Sequence, residues 1–151
     1  MNCPIVFKKA TLEDEGEYLR LSRLFYDTDA VLSPLPEEFH KNIFKEICRS
    51  SAYLEAFLFS FESETAGYGL VSKRFSTEAG GLECWVEDLF VLPEFRGKGI
   101  GGAFLDFVKK RYSTNRFRLE VEEENHRAVA LYRKHGFEFL SYRQMICDAG
   151  N

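Results

Sequence analysis

The strongest constraint in the chain is the passage from Cys84 to Phe104, CWVEDLFVLPEFRGKGIGGAF. Residues 84–91 are apolar, aromatic or β-branched except for Glu87 and Asp88, which is the composition of a buried strand. Pro93 ends that strand, because a proline has no N–H to give to a central ladder. Arg96-Gly97-Lys98-Gly99-Ile100-Gly101-Gly102 then runs into a helical pattern with Ile100, Phe104, Phe107 and Val108 on one face. Strand, glycine-rich turn and helix N-terminus, in that order, make an anion site. Glycine lets backbone N–H groups approach a phosphate, and the helix dipole adds partial positive charge. Arg96 and Lys98 place two full charges beside it.

Two other phosphate loops fit less well. Gly97-Lys98-Gly99 lacks the Ser or Thr that a Walker A loop carries after Gly-Lys. Gly97-x-Gly99-x-x-Gly102 matches the dinucleotide fingerprint, and Glu120 lies near the expected acidic position. Here, however, Pro93-Glu94-Phe95-Arg96 separates the glycines from the strand, and too little chain follows for a second mononucleotide half. A glycine-rich connector without a ligand is the bland alternative, at a conformational cost.

Before this passage, Ile5–Lys9 reads as a strand and Thr11 with Asp14 as a helix start. That helix presents Tyr18, Leu21, Leu24 and Phe25 on one face, and a second follows with Phe39, Ile43, Phe44, Ile47 and Cys48 inward. Leu54–Phe61, Ala66–Phe75 and Cys84–Val91 form a meander of three strands. Gly67 and Gly69 suit close approach of a ligand or of neighbouring backbone. After the glycine loop and its helix come a strand over Arg116–Val121 and a helix capped by Asn125 and stopped by Gly136. Phe137–Phe139 and Ser141–Ile146 read as two last strands. The order is β-α-α-β-β-β-α-β-α-β-β, an α+β domain with one mixed central β-sheet flanked by helices. With 151 residues and no linker or repeat, residues 1–151 are expected to form a single domain.

Composition excludes some partners. The net charge of −4 argues against a nucleic-acid partner, which needs a basic face, and mildly favours a cationic substrate. No apolar run reaches the length of a membrane span, and Met1-Asn2-Cys3-Pro4 does not resemble a signal sequence, so a cytoplasmic location is expected. Cys3, Cys48, Cys84 and Cys147 are widely spaced, and the three histidines His40, His126 and His135 complete no metal-binding pattern. The cysteines are expected to be free thiols and no metal is expected. Cys84 as a nucleophile is the weaker reading beside a buried structural cysteine.

Arg96-x-x-Gly99-x-Gly101, preceded by Glu87-Asp88-Leu89-Phe90-Val91, resembles the acyl-CoA-binding motif and preceding strand of the Gcn5-related N-acetyltransferases (GNAT). Asn125-x-x-Ala128-x-x-x-Tyr132-x-x-x-Gly136-Phe137 resembles the last helix motif of that family. The element order is also that of the GNAT fold. The resemblance is specific over Cys84–Phe139 and topological before it. It implies a family bulge near Glu87, and acetyl-CoA as co-substrate. The pyrophosphate would lie on the amides of Arg96, Gly97, Lys98, Gly99, Ile100, Gly101 and Gly102, and backbone groups of Leu89, Phe90 and Val91 would meet the pantetheine and acyl carbonyl. Asn125 would sit near the cofactor and Tyr132 would donate a proton to the departing thiolate.

The chemistry needs a neutral amine. An amine of pKa about 10.4 is neutral in only roughly one molecule in two thousand at pH 7, so a carboxylate base is expected. Glu87 is the first candidate, with Asp88 and Glu120 as alternatives. In a regular strand residues 87 and 88 point to opposite faces, so a bulge decides which of them faces the cleft. Phe25, Tyr26, Asp27, Asp29, Ser33 and Glu37 mix acids with aromatics, which suits a cationic acceptor. The Glu87–Val91 run is also similar to that of diamine and polyamine acetyltransferases. The expected partner is therefore a small-molecule amine, polyamine- or amino-acid-like, with no nucleic acid and no membrane; a homodimer is left open. The alternatives are a protein Nα- or lysine acetyltransferase and a non-catalytic acyl-CoA-binding module.

Overall fold

A computed structural model of the chain describes residues 4–150. Its elements are β1 (Ile5–Lys9), α1 (Glu15–Tyr26), α2 (Glu37–Arg49), β2 (Leu54–Phe61), β3 (Glu64–Ser76), β4 (Gly81–Val91), α3 (Ile100–Arg111), β5 (Arg116–Leu119) and α4 (His126–Lys134). The five strands form one sheet in the order β1-β2-β3-β4-β5. The first four pair antiparallel, and β5 joins β4 in parallel through the crossover helix α3, so the sheet is mixed. Cys3 lies outside the described residues.

Local chemistry sets the element ends. The backbone N–H of Thr11 donates to Asp14 at 2.8 Å, closing a capping box around a 3-10 turn that precedes α1. The β2–β3 hairpin turns on Glu62 and Ser63, both at positive φ, the geometry that matches the twist of the flanking strands. The side chain of Asn125 accepts from the N–H of Ala128 at 3.3 Å to start α4, and Gly136, at φ +89°, stops it.

The sheet separates two cores. On one face, Ala56, Tyr68, Leu70 and Phe90 pack against Tyr18, Leu21 and Phe25 of α1 and Phe44 and Ile47 of α2. On the other, Phe57, Phe59, Val71, Cys84 and Val86 pack against Ile100, Phe104, Leu105 and Val108 of α3. Phe104 is the hub of the second core, with its ring 4.7 Å from that of Phe59 and 5.5 Å from that of Phe7. Gly69 makes room for it: a Cβ there would lie 2.3 Å from the Phe104 ring. Gly67 admits backbone instead, since a Cβ would lie 2.0 Å from the carbonyl oxygen of Phe90. The close approach expected at these glycines is thus to neighbouring protein.

The two C-terminal strands expected over Phe137–Phe139 and Ser141–Ile146 are not formed, and the fifth strand stops at Leu119, not Val121. Residues 137–144 stand off from β5, and a cavity of about 730 Å³ lies between them, lined by Phe117, Leu119, Tyr132 and Phe137 among others. Alternation of apolar residues selects a face, but it cannot supply a pairing edge at ladder distance. Tyr142, Met145 and Ile146 are consequently exposed, at 70%, 96% and 88%.

The contact between Gly69 and Phe104 generates a stability expectation. Gly69→Ala overpacks the core and destabilises by about 1–3 kcal/mol in urea unfolding. Gly69→Ala combined with Phe104→Leu recovers part of that loss relative to the sum of the single changes. Strict additivity would show that the two positions do not share the space.

Candidate functional site

The site is built where β4 and β5 part. Their parallel pairing runs only from Glu83 opposite Arg116 to Val86 opposite Leu119. Directly beyond, β4 bulges: Val86 pairs Val71 and Asp88 pairs Leu70, leaving Glu87 as the extra residue. Leu89, Phe90 and Val91 therefore run on with β3 on one side and without β5 on the other. They form one wall of a groove of about 860 Å³. The start of α3, the start of α4 and the α1–α2 connection at Thr28–Ala30 supply the other walls.

The anion end of this groove is the α3 start. Gly97 and Gly99 both have positive φ, +78° and +79°, and a Cβ at either would meet nothing within 4 Å. The first helical bond of α3 is from the N–H of Ala103 to the carbonyl of Gly99, at 3.0 Å. The N–H groups of Ile100, Gly101 and Gly102 precede it and have no helical acceptor. A turn open to solvent, followed by unpaired N–H groups at a helix start, fits a pyrophosphate. Gly101 and Gly102 serve packing as well: a Cβ on Gly101 would lie 3.1 Å from Leu131, and one on Gly102 2.8 Å from His135. They let α4 close on α3.

Of the residues singled out by sequence, Leu89, Phe90, Val91, Arg96, Gly97, Gly99, Ile100, Gly101, Gly102, Asn125 and Tyr132 all line this groove. Lys98 does not; its ammonium lies 5.2 Å from the centre of the Phe61 ring. Arg96 donates from Nε to the carbonyl of Val91 at 3.0 Å, tying the loop to the strand end. Arg127 of α4 also lines the groove and was not singled out. Its signal is a cation two residues after the Asn125 cap, beside Ala128. Charge in the groove is mixed, since Asp29, Glu122 and Glu124 line it too. Tyr132 is pushed up to about 12 by burial, so its phenol keeps its proton at neutral pH.

The bulge puts Glu87 and Asp88 on the same face of the sheet, the α1 side, with different surroundings. Glu87 is exposed and accepts from the Ser72 hydroxyl at 2.5 Å. Asp88 is buried and accepts from Tyr26 at 2.9 Å and Tyr68 at 2.8 Å. Burial pushes Asp88 up to about 6 against the pull of those two phenols, and Glu87 pushes in the same direction as burial. Neither carboxylate lines the groove, and Glu120 lies on the β5 cavity instead. Of the aromatic and acidic residues around α1 and α2, Phe25 and Asp29 line the groove, Tyr26 holds Asp88, and Glu37 pairs with Arg23. Asp27 and Ser33 are exposed outside it. Cys84 is fully buried, and burial pushes its thiol up to about 12, the state of a structural cysteine. Among the described residues, no group of three or more His, Cys, Asp or Glu is placed to hold a metal ion, and no helix is long and apolar enough to cross a membrane.

The profile of the acetyltransferase (GNAT) family matches residues 18–137. Among curated proteins, the thialysine N-epsilon-acetyltransferase of Mus musculus is 35% identical over 82 residues, 52% of this chain and 48% of that protein. The enzyme of the same name from Sus scrofa is 38% identical over 78 residues, 50% of this chain and 45% of that protein. The chain thus spans about half the length of these curated relatives. Among solved structures, an integron cassette protein from the mobile metagenome of Cole Harbour Salt Marsh superposes with a TM-score of 0.76 at 28% identity, covering 97% of this chain and 90% of that one. An aminoglycoside N-acetyltransferase, AAC(6')-Iy, in complex with CoA gives a TM-score of 0.79 at 16% identity, covering 98% and 97%, a likeness of fold alone.

Two expectations follow from the geometry. Asparagine and aspartate tolerate the left-handed conformation of Gly97 better than other residues. Gly97→Asn should keep acetyl-CoA affinity within a few fold in calorimetry, whereas Gly97→Asp, equal in shape but negative, should lose at least tenfold. Equal affinities would remove the phosphate from this turn. For Asp88, the unfolded chain releases its proton near pH 4, and the folded protein near pH 6. Between those values the native state binds more protons, so this group's contribution to stability falls as pH rises. Wild-type stability relative to Asp88→Asn should drop by roughly 2–3 kcal/mol between about pH 3.5 and 7 in urea unfolding. A difference independent of pH would contradict an Asp88 that prefers its proton.

Proposed function

Because the chain belongs to the GNAT acetyltransferase family, we propose that it is an acetyl-CoA-dependent N-acetyltransferase acting by direct transfer to a primary amine of a small cationic metabolite. The observation that carries the reading is the groove itself, which joins free N–H groups at the α3 start to the backbone of Leu89–Val91 and the half-buried phenol of Tyr132. The amides of residues 97–102, with Arg96 and Arg127 at the wall, would hold the pyrophosphate. Acetyl-CoA supplies an activated thioester whose acetyl carbon passes to the amine while the thiolate leaves.

The remaining steps belong to the chain. Glu87, exposed beside the groove and held by Ser72, takes a proton from the acceptor ammonium and frees its lone pair. A backbone N–H in Leu89–Val91 steadies the oxygen on which negative charge builds. Tyr132 gives its hydroxyl proton to the departing sulfur, a role suited to a phenol that stays protonated at neutral pH. Asp88 is held by two tyrosines and serves better to position Tyr26 than to collect protons. The small-amine class draws on the curated relatives named for thialysine and on the acidic residues at the edge of the groove.

A panel of small amines and peptide N-termini, scored by release of free thiol from acetyl-CoA, tests the proposal. Acetylation of one or more small amines supports it; acetylation of peptides alone, or of nothing, overturns it. With the best acceptor, Tyr132→Phe should lower kcat on the order of a hundredfold. Glu87→Gln should show a deficit that shrinks as pH approaches the pKa of the amine. A wild-type kcat in the first variant, or a deficit equal at every pH in the second, would remove the assigned role.

A further inference from the structure

The helix-packed core on the α1 face takes in Ala56 of β2, Tyr68 and Leu70 of β3 and Phe90 of β4. Further along, Ser72, Arg74, Glu83, Trp85 and Glu87 share that face with Arg116 and Arg118 of β5, because Ser72 pairs Trp85 and Arg118 is the register partner of Trp85. This area is sharply patterned. Glu83 is fully buried and accepts from Arg74 at 2.7 Å and from the Trp85 indole at 2.8 Å, both on Oε1. Its other oxygen has no hydrogen-bond partner. Arg116 and Arg118 approach Glu83 only at 3.9 Å, and Arg116 also faces Glu78 at 3.8 Å. Three guanidinium groups thus surround one buried carboxylate. Arg118 is the least compensated of them, and it lies 4.5 Å from the centre of the Trp85 ring. A stacked guanidinium keeps its edge N–H groups free for a planar anion.

Glu87 lies two residues along β4 from Trp85, exposed and turned to this face by its bond from Ser72, the register partner of Trp85. Two residues along one strand and one strand across separate it from Arg118, roughly 8 Å between backbones. We propose that this area recognises an amino-acid-like acceptor, Arg118 binding its carboxylate and Glu87 its reacting amine, with the intervening methylenes lying over Trp85. The inference rests on the small-amine reading above and narrows it. The acceptor class is an amine separated by about five carbons from a carboxylate, and polyamines without a carboxylate are disfavoured by the like charge of Arg118.

The test compares L-lysine, 6-aminohexanoate and cadaverine as acceptors for the full chain at saturating acetyl-CoA, in wild type, Arg118→Gln and Arg118→Lys. Circular dichroism and acetyl-CoA affinity check that each variant is folded. The expected wild-type kcat/KM for the two carboxylate-bearing acceptors exceeds that for cadaverine at least tenfold. In Arg118→Gln that ratio falls to near one, through KM more than kcat; in Arg118→Lys, which keeps the charge without the fork, it falls part of the way. Cadaverine as the equal or better acceptor, or a ratio unchanged in Arg118→Gln, overturns the proposal. Acetylation of other small amines but none of these three overturns it and leaves the small-amine reading standing. Failure of every small amine overturns both.

Discussion

The extra residue in β4 at Glu87 is the constraint on which the site depends. Without it, β4 would continue its parallel ladder with β5 and its backbone would be spent on hydrogen bonds within the sheet. With it, pairing stops at Val86, the two strands part, and the main chain of Leu89–Val91 opens onto the groove. The same residue sends two successive carboxylates to one face. Glu87 is left in solvent at the edge of the site, while Asp88 goes under α1 between Tyr26 and Tyr68. One backbone irregularity therefore opens the groove and sorts its acids.

Close packing keeps the groove in place. Gly67 brings β3 against the carbonyl of Phe90, and Gly69 seats Phe104, so the glycine turn before α3 is held at a set distance from β4. Gly101 and Gly102 bring α4 against α3 through Leu131 and His135, which places Asn125, Arg127 and Tyr132 opposite the turn. The glycines around the site are of two kinds. Those at 97 and 99 bend the turn and leave open space for a ligand, and those at 67, 69, 101 and 102 let protein approach protein.

Most of this was legible before any coordinates. The meander, the Thr11 capping box, the Asn125 cap and the Gly136 stop each leave a local chemical signal, and each is where the pattern puts it. The helix faces hold at Tyr18, Leu21, Phe25, Phe44 and Ile47 but not at Leu24, Phe39 and Cys48, which are exposed because they lie at the margin of each buried stripe. The groove-lining set was legible because turn and helix-start residues announce their geometry. Lys98 was not, because a side chain leaving a left-handed glycine turn can point either way, and the Phe61 ring draws it from the groove. The two last strands failed for a different reason: alternation in Ser141–Ile146 is real, but an edge at ladder distance is a tertiary fact. The faces of Glu87 and Asp88 were equally hidden, since a one-residue bulge inverts the inference from periodicity. The cluster of Arg74, Arg118 and Trp85 around Glu83 escaped notice because its members come from three strands.

The central claim is that parting of β4 from β5 turns strand backbone into binding surface. Amide hydrogen exchange in the presence and absence of acetyl-CoA measures it residue by residue. The expected result is ligand-dependent protection at amides within Leu89–Val91 together with Gly97–Gly102, and none along β5. Protection of the glycine turn with no change in Leu89–Val91 would contradict it, and so would protection along the outer edge of β5.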